Sequence, residues 1–437
     1  RVLLPADHPE EVFLGTNFGL AVSTDGGAHF RLVCEESIVT GGENVTQYVM
    51  GPPPASALYA LSLNQLAVSV DGGCTWSAAS GTWNSPTFTD LFVDPTDGNH
   101  VFAVASALAG PGSFASSLWD SKDAGRTFTG PRFSAAAGVL ITGVESAASD
   151  PATVYLTEFG DTPAGVVAQL ARSSDGGTTF QETSLLDALG VGEPRLAAVD
   201  PSDARVIYYR VIGDSSDRLA ISRDGGQTAH VALSVNGFMT TFLRRSDGAL
   251  LVGTQVQGAF ASHDGGETFL PWPEAPHLRA LAERAGVLYA AADNAADGYA
   301  LGASNDGGMT WTPLVRFANL CGIASCGATV ASTCQAAWSR LVSQLAITGC
   351  ADEAAPAKPA SSAPPARAAG CSHAEGTVSP NLFGISWLVL SVLAGRRIGR
   401  RAENQRDANP ERDREAQPGA PGDRRRRTVA STISNGR

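Results

Sequence analysis

The sequence predicts an all-β fold: a seven-bladed β-propeller, then a small disulfide-stapled cap, a disordered linker and a C-terminal transmembrane helix. Three observations predict it. One short motif recurs seven times within the first 311 residues, at intervals of about 40 to 52 residues, the period of a propeller blade. Apolar runs of strand length alternate with turns between the copies, and 48 Gly and 25 Pro leave helix a minor part.

In each copy a Ser stands two residues before an Asp and a Gly two residues after it, and most copies add a Thr and an aromatic at plus four and plus five. The aspartates are Asp25, Asp71, Asp123, Asp175, Asp224, Asp264 and Asp306. A carboxylate placed two residues before Gly accepts backbone N–H groups across a tight turn that needs positive φ. The aromatic then opens the next strand and buries its ring between neighbouring sheets, a gain of about 1.5 to 3 kcal/mol per copy. Hairpin chemistry accounts for every position, so these seven Asp read as structural rather than as catalytic groups or calcium ligands.

The strands follow in order A, B, C, D within each blade. Strand A of the first blade reads from residues 2–4, and an A strand, Asp-Pro turn and B strand recur as LFVDPTDGNHVFAVAS from Leu91 and LAAVDPSDARVIYYRV from Leu196. Looser versions begin at Ile141, Phe242 and Leu278, and the last blade reads 278–282, 287–291, 299–304 and 311–315. Strand C runs into the motif and strand D leaves it. The repeated turns therefore share one face with the Asp-Pro turns, and the B-to-C and D-to-A loops form the opposite face.

The motif resembles the Asp-box, or BNR, repeat of the sialidase-like superfamily, found also in xyloglucanases, sortilin-type receptors and the photosystem II assembly propeller. The resemblance covers residues 1–316, and the fifth copy departs from it with Ala229 in the aromatic position. It implies the fold; function has to come from the site. The Phe/Tyr-Arg-Ile-Pro motif of sialidases is absent, and where xyloglucanases carry a catalytic Asp this chain has Asn17, within Gly15-Thr16-Asn17-Phe18-Gly19. The enzyme question thus stays open and leans towards no.

Past the last blade, residues 317–350 form a cysteine-rich cap with helical spacing at Trp338, Leu341, Val342 and Leu345. Cys321, Cys326, Cys334 and Cys350 suggest two disulfides stapling this cap, since their spacing fits no zinc pattern and no His lies among them. Cys34 and Cys74 are left to pair with each other. Residues 351–375 read as a Pro/Ala-rich linker, 376–395 as a transmembrane segment without charge up to Ala394, and 396–437 as a basic disordered tail. The order of spacer, Gly370-Cys371-Ser372, apolar run and arginine cluster resembles the myxobacterial C-terminal sorting signal, which implies processing or lipidation at Cys371. A plain transmembrane anchor is the other reading. Both put the propeller outside the cell, and an opening at Arg1 rather than Met fits a removed export signal.

Residues 395–437 hold 12 of the 31 basic side chains, and the 19 basic and 37 acidic residues that remain leave the rest at −18. So acidic a body argues against nucleic acid as a partner. No cofactor or metal motif appears, and the propeller reads as monomeric. The loop face supplies the ligand candidates, aromatics interleaved with carboxylates: Trp83, Asn84, Trp272, Glu274, His277, Asp293 and Tyr299. The expected function is that of a surface-anchored binding or structural module for an extracellular glycan or protein. The alternative is a glycan-active hydrolase or lyase on the same face.

Overall fold

The structure is a computed structural model that describes residues 1–39, 45–83, 86–110 and 113–350. Its seven sheets are each antiparallel meanders in chain order, six with four strands and the third with a short fifth, Ser80–Gly81, added parallel to its outer strand. Blade 1 is Val2–Leu3, Val12–Thr16, Gly19–Ser23 and Arg31–Cys34, and blade 7 is Ala280–Arg284, Val287–Ala291, Leu301–Ser304 and Thr312–Val315. The inner strand of blade 7 begins two residues later than its apolar run, because a two-residue turn with Ala285 at φ 51° and Gly286 at φ 81° fixes the pairing of Arg284 with Val287. Two of the B–C connections are long strand hairpins, Val101–Gly110 with Ser113–Ser121 and Asp150–Thr162 with Gly165–Ser173.

The core is seven apolar seams, one between each pair of adjacent blades. The motif aromatic enters the seam with the preceding blade: Phe30 packs against blade 7, Trp76 against blade 1, Phe128 against blade 2, Phe180 against blade 3, Phe269 against blade 5 and Trp311 against blade 6. Ala229 leaves no ring between blades 4 and 5, where two fully buried tyrosines, Tyr155 and Tyr209, occupy the seam with Leu185 and Leu189. The turn itself repeats closely. Ser Oγ donates to the Asp at 2.7–2.9 Å and accepts the Gly N–H at 2.8–3.0 Å, while the plus-four N–H donates to the same Asp oxygen at 2.8–3.0 Å.

Polar clips accompany the apolar seams. The innermost strand of a blade has a free edge whose N–H groups need acceptors, and a carboxylate from the preceding blade supplies one in four seams. Glu35 accepts from Val45, Asp90 from Val144 at 3.0 Å, Glu145 from Val199 at 2.8 Å and Asp217 from Met239 at 2.8 Å. Gln47 joins Asp90 between blades 2 and 3, and Glu283 takes both Arg245 and the Ser246 N–H between blades 6 and 7. At the closing seam the Arg284 guanidinium donates to four carbonyls of blade 1, those of Pro5, His8, Pro9 and Glu11.

Helix α1 (Glu35–Ile38), α2 (Leu186–Leu189) and α3 (Ala328–Gln344) are the α-helices among the described residues, and α3 buries Val330, Cys334, Ala337 and Leu341. The cap is not stapled to itself by two bonds, and Cys34 does not pair with Cys74. The disulfides are Cys34–Cys334, Cys74–Cys326 and Cys321–Cys350. The reason is an added strand-like contact. Residues past blade 7 run along the outer strand of blade 1, with the Leu32 N–H donating to Gly322 and the Ala324 N–H to Leu32, which brings the cap cysteines onto blades 1 and 2. Three disulfides point to an exported protein. Among the described residues no helix is long and apolar enough to cross a membrane. The linker, Cys371, the apolar segment and the tail lie outside the described residues, as does Asn84.

Candidate functional site

Two of the expected surface aromatics are packing residues. Trp272 is 8% exposed, donates its indole N–H to Gly308 at 3.2 Å and lies in the seam of blades 6 and 7. Half-buried Trp83 meets Phe88, Trp119 and Phe128 at ring distances of 5.0, 5.7 and 5.2 Å. Hydrophobic demand took both rings inward, where each buries far more area than a rim position allows. Trp272 is a core residue, and Trp83 packs half-buried against the core of blades 2 and 3.

The other candidates gather on the loop face of blade 7, where the strand ends at 291 and 301 are joined by a nine-residue B–C loop folded on its own carboxylates. Asp293 Oδ1 accepts the N–H groups of Ala295 and Ala296 at 3.0 and 3.1 Å, and Asp297 Oδ2 accepts the N–H of Asp293 at 2.9 Å. Each carboxylate then takes a cationic or imidazole partner from the segment entering the inner strand. Arg279 donates to Asp293 Oδ2 at 2.7 Å, and His277 Nδ1 lies 2.8 Å from Asp297 Oδ1, with the His277 N–H also directed at Asp297. The exposures order the site: His277 70% and Arg279 51% face solvent, while Asp293 at 29% and Asp297 at 11% lie beneath them.

The Arg279 guanidinium, followed by the Ala296 and Ala295 N–H groups, holds Asp293 down to about 2. It is therefore an anchor, ionised at any ordinary pH, and no proton donor. Tyr299 is buried under the loop with its ring against Gly302, and burial raises its phenol with Asp297 adding to the effect. Glu274 is exposed nearby in sequence, on the connection from blade 6. Asn294 accepts the Phe317 N–H at 3.1 Å, and Phe317 meets Phe18 of blade 1 edge-on at 5.2 Å. The result is a band of donors, acceptors and a ring pair across the seam of blades 7 and 1.

Sequence reasoning had singled out His277, Asp293, Tyr299 and Glu274 but passed over Arg279, Asn294 and Asp297, the partners that give the cluster its form. A signal was present. Asp293-Asn294 and Asp297-Gly298 in one short loop are turn-forming pairs. Elsewhere the carboxylates with raised values serve the fold. Burial pushes Glu145 up to about 8 and Glu158 up to about 7, and burial raises Asp90 too, yet Asp90 and Glu145 spend oxygens on inner-strand N–H groups and Glu158 accepts from Gln169 at 2.9 Å. Among the described residues no group of three or more His, Cys, Asp or Glu is arranged to hold a metal.

No family model matches the chain, and no curated protein matches it. Solved structures similar to it include a GH74 xyloglucanase from Xanthomonas campestris, at 17% identity over 72% of this chain and 58% of that one, with a TM-score of 0.39. The YCF48 protein from Cyanidioschyzon merolae is 10% identical over 66% of this chain and 90% of its own, with a TM-score of 0.41. A GH93 alpha-L-arabinofuranosidase of Fusarium graminearum, solved with arabinobiose, is 13% identical over 60% and 96%, with a TM-score of 0.38. The chain spans less than two thirds of that xyloglucanase's length. Likenesses of this degree carry no argument about activity.

Proposed function

We propose that this chain is an exported Asp-box propeller held at the cell surface by its C-terminal segment, and that it binds an extracellular glycan through the loop face of blade 7. The observation that supports binding is the double pairing of Arg279 with Asp293 and His277 with Asp297. It fixes two exposed donor groups on two half-buried carboxylates and leaves the outer N–H groups facing solvent. Such paired donors and acceptors beside aromatic rings suit vicinal hydroxyls. Hydrolysis has weaker support, because a glycosidase needs one carboxyl kept protonated and Asp293 is shifted the other way.

The test is capture of neutral and acidic polysaccharides by the full chain and by His277→Ala/Arg279→Ala, with reducing-sugar release measured in the same samples. Loss of capture by at least tenfold at an unchanged melting temperature is the expected result. Equal capture by the double variant removes the site, and reducing-sugar release that survives the substitutions moves the protein to the hydrolase class.

A further inference from the structure

A second site lies on the opposite face. Between blades 3 and 4, on the side of the repeated turns, the surface opens into a cleft of about 380 Å³ whose charged and imidazole lining is Asp94, His100, Asp120, Lys122, Arg132 and Asp175. That is the scale of a small-ligand pocket, about 300 to 1,000 Å³.

The chain contains its own comparison for this cleft, because the Asp-Pro turn of blade 3 recurs in blade 5 with the same hydrogen bonds. The Asp94 N–H donates to His100 and the Asp200 N–H to Val206, both at 2.9 Å. Asp94 Oδ1 takes the N–H and hydroxyl of Thr96, as Asp200 Oδ1 takes those of Ser202. In both turns Oδ2 is the oxygen left over. In blade 5 the next blade fills the seam: Arg244, on the inner strand of blade 6, donates its Nε–H to Asp200 Oδ2 at 2.9 Å.

Blade 4 offers no such side chain. Counted from the bulge that both inner strands share, after Ile141 and after Met239, the position of Arg244 is held in blade 4 by Ser146. It stands two residues beyond Val144 and so on the same seam-facing side of the strand. Ser146 Oγ is buried without a hydrogen-bond partner. His100, where blade 5 has Val206, turns its Nδ1 to Asp94 Oδ2 at 3.2 Å, and its Nε2 is buried without a partner as well, with the residue 7% exposed. With Nδ1 donating to Asp94, Nε2 is an acceptor; this tautomer is assigned from the pairing.

We infer that the cleft between blades 3 and 4 receives a guanidinium group from outside the fold, an arginine side chain of a ligand, in the place that Arg244 fills between blades 5 and 6. A planar donor matches Asp94 Oδ2, the counterpart of the oxygen that Arg244 takes in blade 5, while His100 Nε2 and the Ser146 hydroxyl are the polar groups of this seam left without a partner. An anion would meet Asp94, Asp120 and Asp175, and the two cations of the lining, Arg132 and Lys122, are already drawn to Asp120, Arg132 through two N–H groups at 2.6 and 3.1 Å and Lys122 at 3.9 Å. The acidic body of the protein favours the same sign of ligand.

The experiment titrates the full chain with L-arginine amide, with L-citrulline amide, which keeps the shape and lacks the charge, and with inorganic phosphate. Arginine amide is expected to bind saturably at least tenfold more tightly than citrulline amide, and phosphate not to bind at the cleft. Ser146→Arg supplies the group internally and should abolish arginine amide binding while the melting temperature holds or rises. His100→Val, the residue of blade 5, should weaken binding at least tenfold. Phosphate binding, equal affinity for the two amides, absence of saturable binding, or undiminished binding in either folded variant overturns the inference. Should Ser146→Arg not fold, His100→Val decides it alone.

Discussion

Residue by residue, the carboxylates of this protein divide by where their oxygens go. In the repeated turns Asp175 and Asp224 are held down to about 2, Asp175 first by the Thr179 N–H and Asp224 first by the Thr228 hydroxyl. The stability they contribute is present above the unfolded value near 3.8 and is lost as pH falls through about 2. Glu145 runs the other way. Burial and then the charge of Asp90 push it up to about 8 from 4.5, so the stability linked to its proton is complete below about 4.5 and is lost as pH rises through about 8. Glu145→Gln keeps an acceptor for the Val199 N–H and is expected to flatten the fall in stability between pH 5 and 8, read by urea unfolding at several pH values. A slope unchanged from the parent protein would assign that fall to another group.

At the scale of the element, the repeated turn depends on its second glycine. Gly226 has φ +89° and a Cβ there would stand 2.0 Å from Leu170 Cδ2, whereas at Gly176, φ +70°, a Cβ meets nothing within 4 Å. Gly176→Ala should cost about 1 kcal/mol from its backbone alone, and Gly226→Ala about 2 to 4 kcal/mol as the clash adds overpacking. Equal shifts in the urea midpoint would show that Leu170 moves aside freely. The inner strands carry a second recurring device. One residue bulges in blades 2 to 6, Thr46, Thr89, Thr142, Ala197 and Thr240, and the hydroxyls of Thr142 and Thr240 donate to Pro194 and Leu278 at the head of the next blade. Four threonines at blade spacing were visible in the sequence, but a hydroxyl reads as a strand residue until its partner in another blade is known.

For the whole molecule the question is how a ring of separate sheets stays closed. All four strands of blade 1 are contiguous, so closure comes from the apolar seam of blades 7 and 1, from the Arg284 contacts and from the cap, whose bonds to Cys34 and Cys74 span 300 and 252 residues. With Cys74–Cys326 intact, Cys34–Cys334 closes the stretches 34–74 and 326–334, which chain entropy makes worth on the order of 4 kcal/mol, slightly above the 29-residue Cys321–Cys350 loop. Cys34→Ala/Cys334→Ala is therefore expected to lower stability more than Cys321→Ala/Cys350→Ala in the same urea series. The reverse order would mean that the non-covalent contacts of blades 7 and 1 close the ring unaided.

What the sequence determined by itself was everything local or periodic. The Ser, Asp, Gly and plus-four residue of each repeat meet within seven residues, so the turn, the blade period and the sheet order are written in short stretches of chain. The rotation of the aromatics into the seams follows from them. Tertiary structure decided what depends on residues far apart. Cys34 finds Cys334 rather than Cys74 because the cap lies along blade 1, Trp83 and Trp272 turn inward because a neighbouring blade offers them apolar surface, and Arg279 and Asp297 join His277 and Asp293 only once the blade 7 loop folds back. A single sequence records which groups can pair; the closed ring selects which of them do.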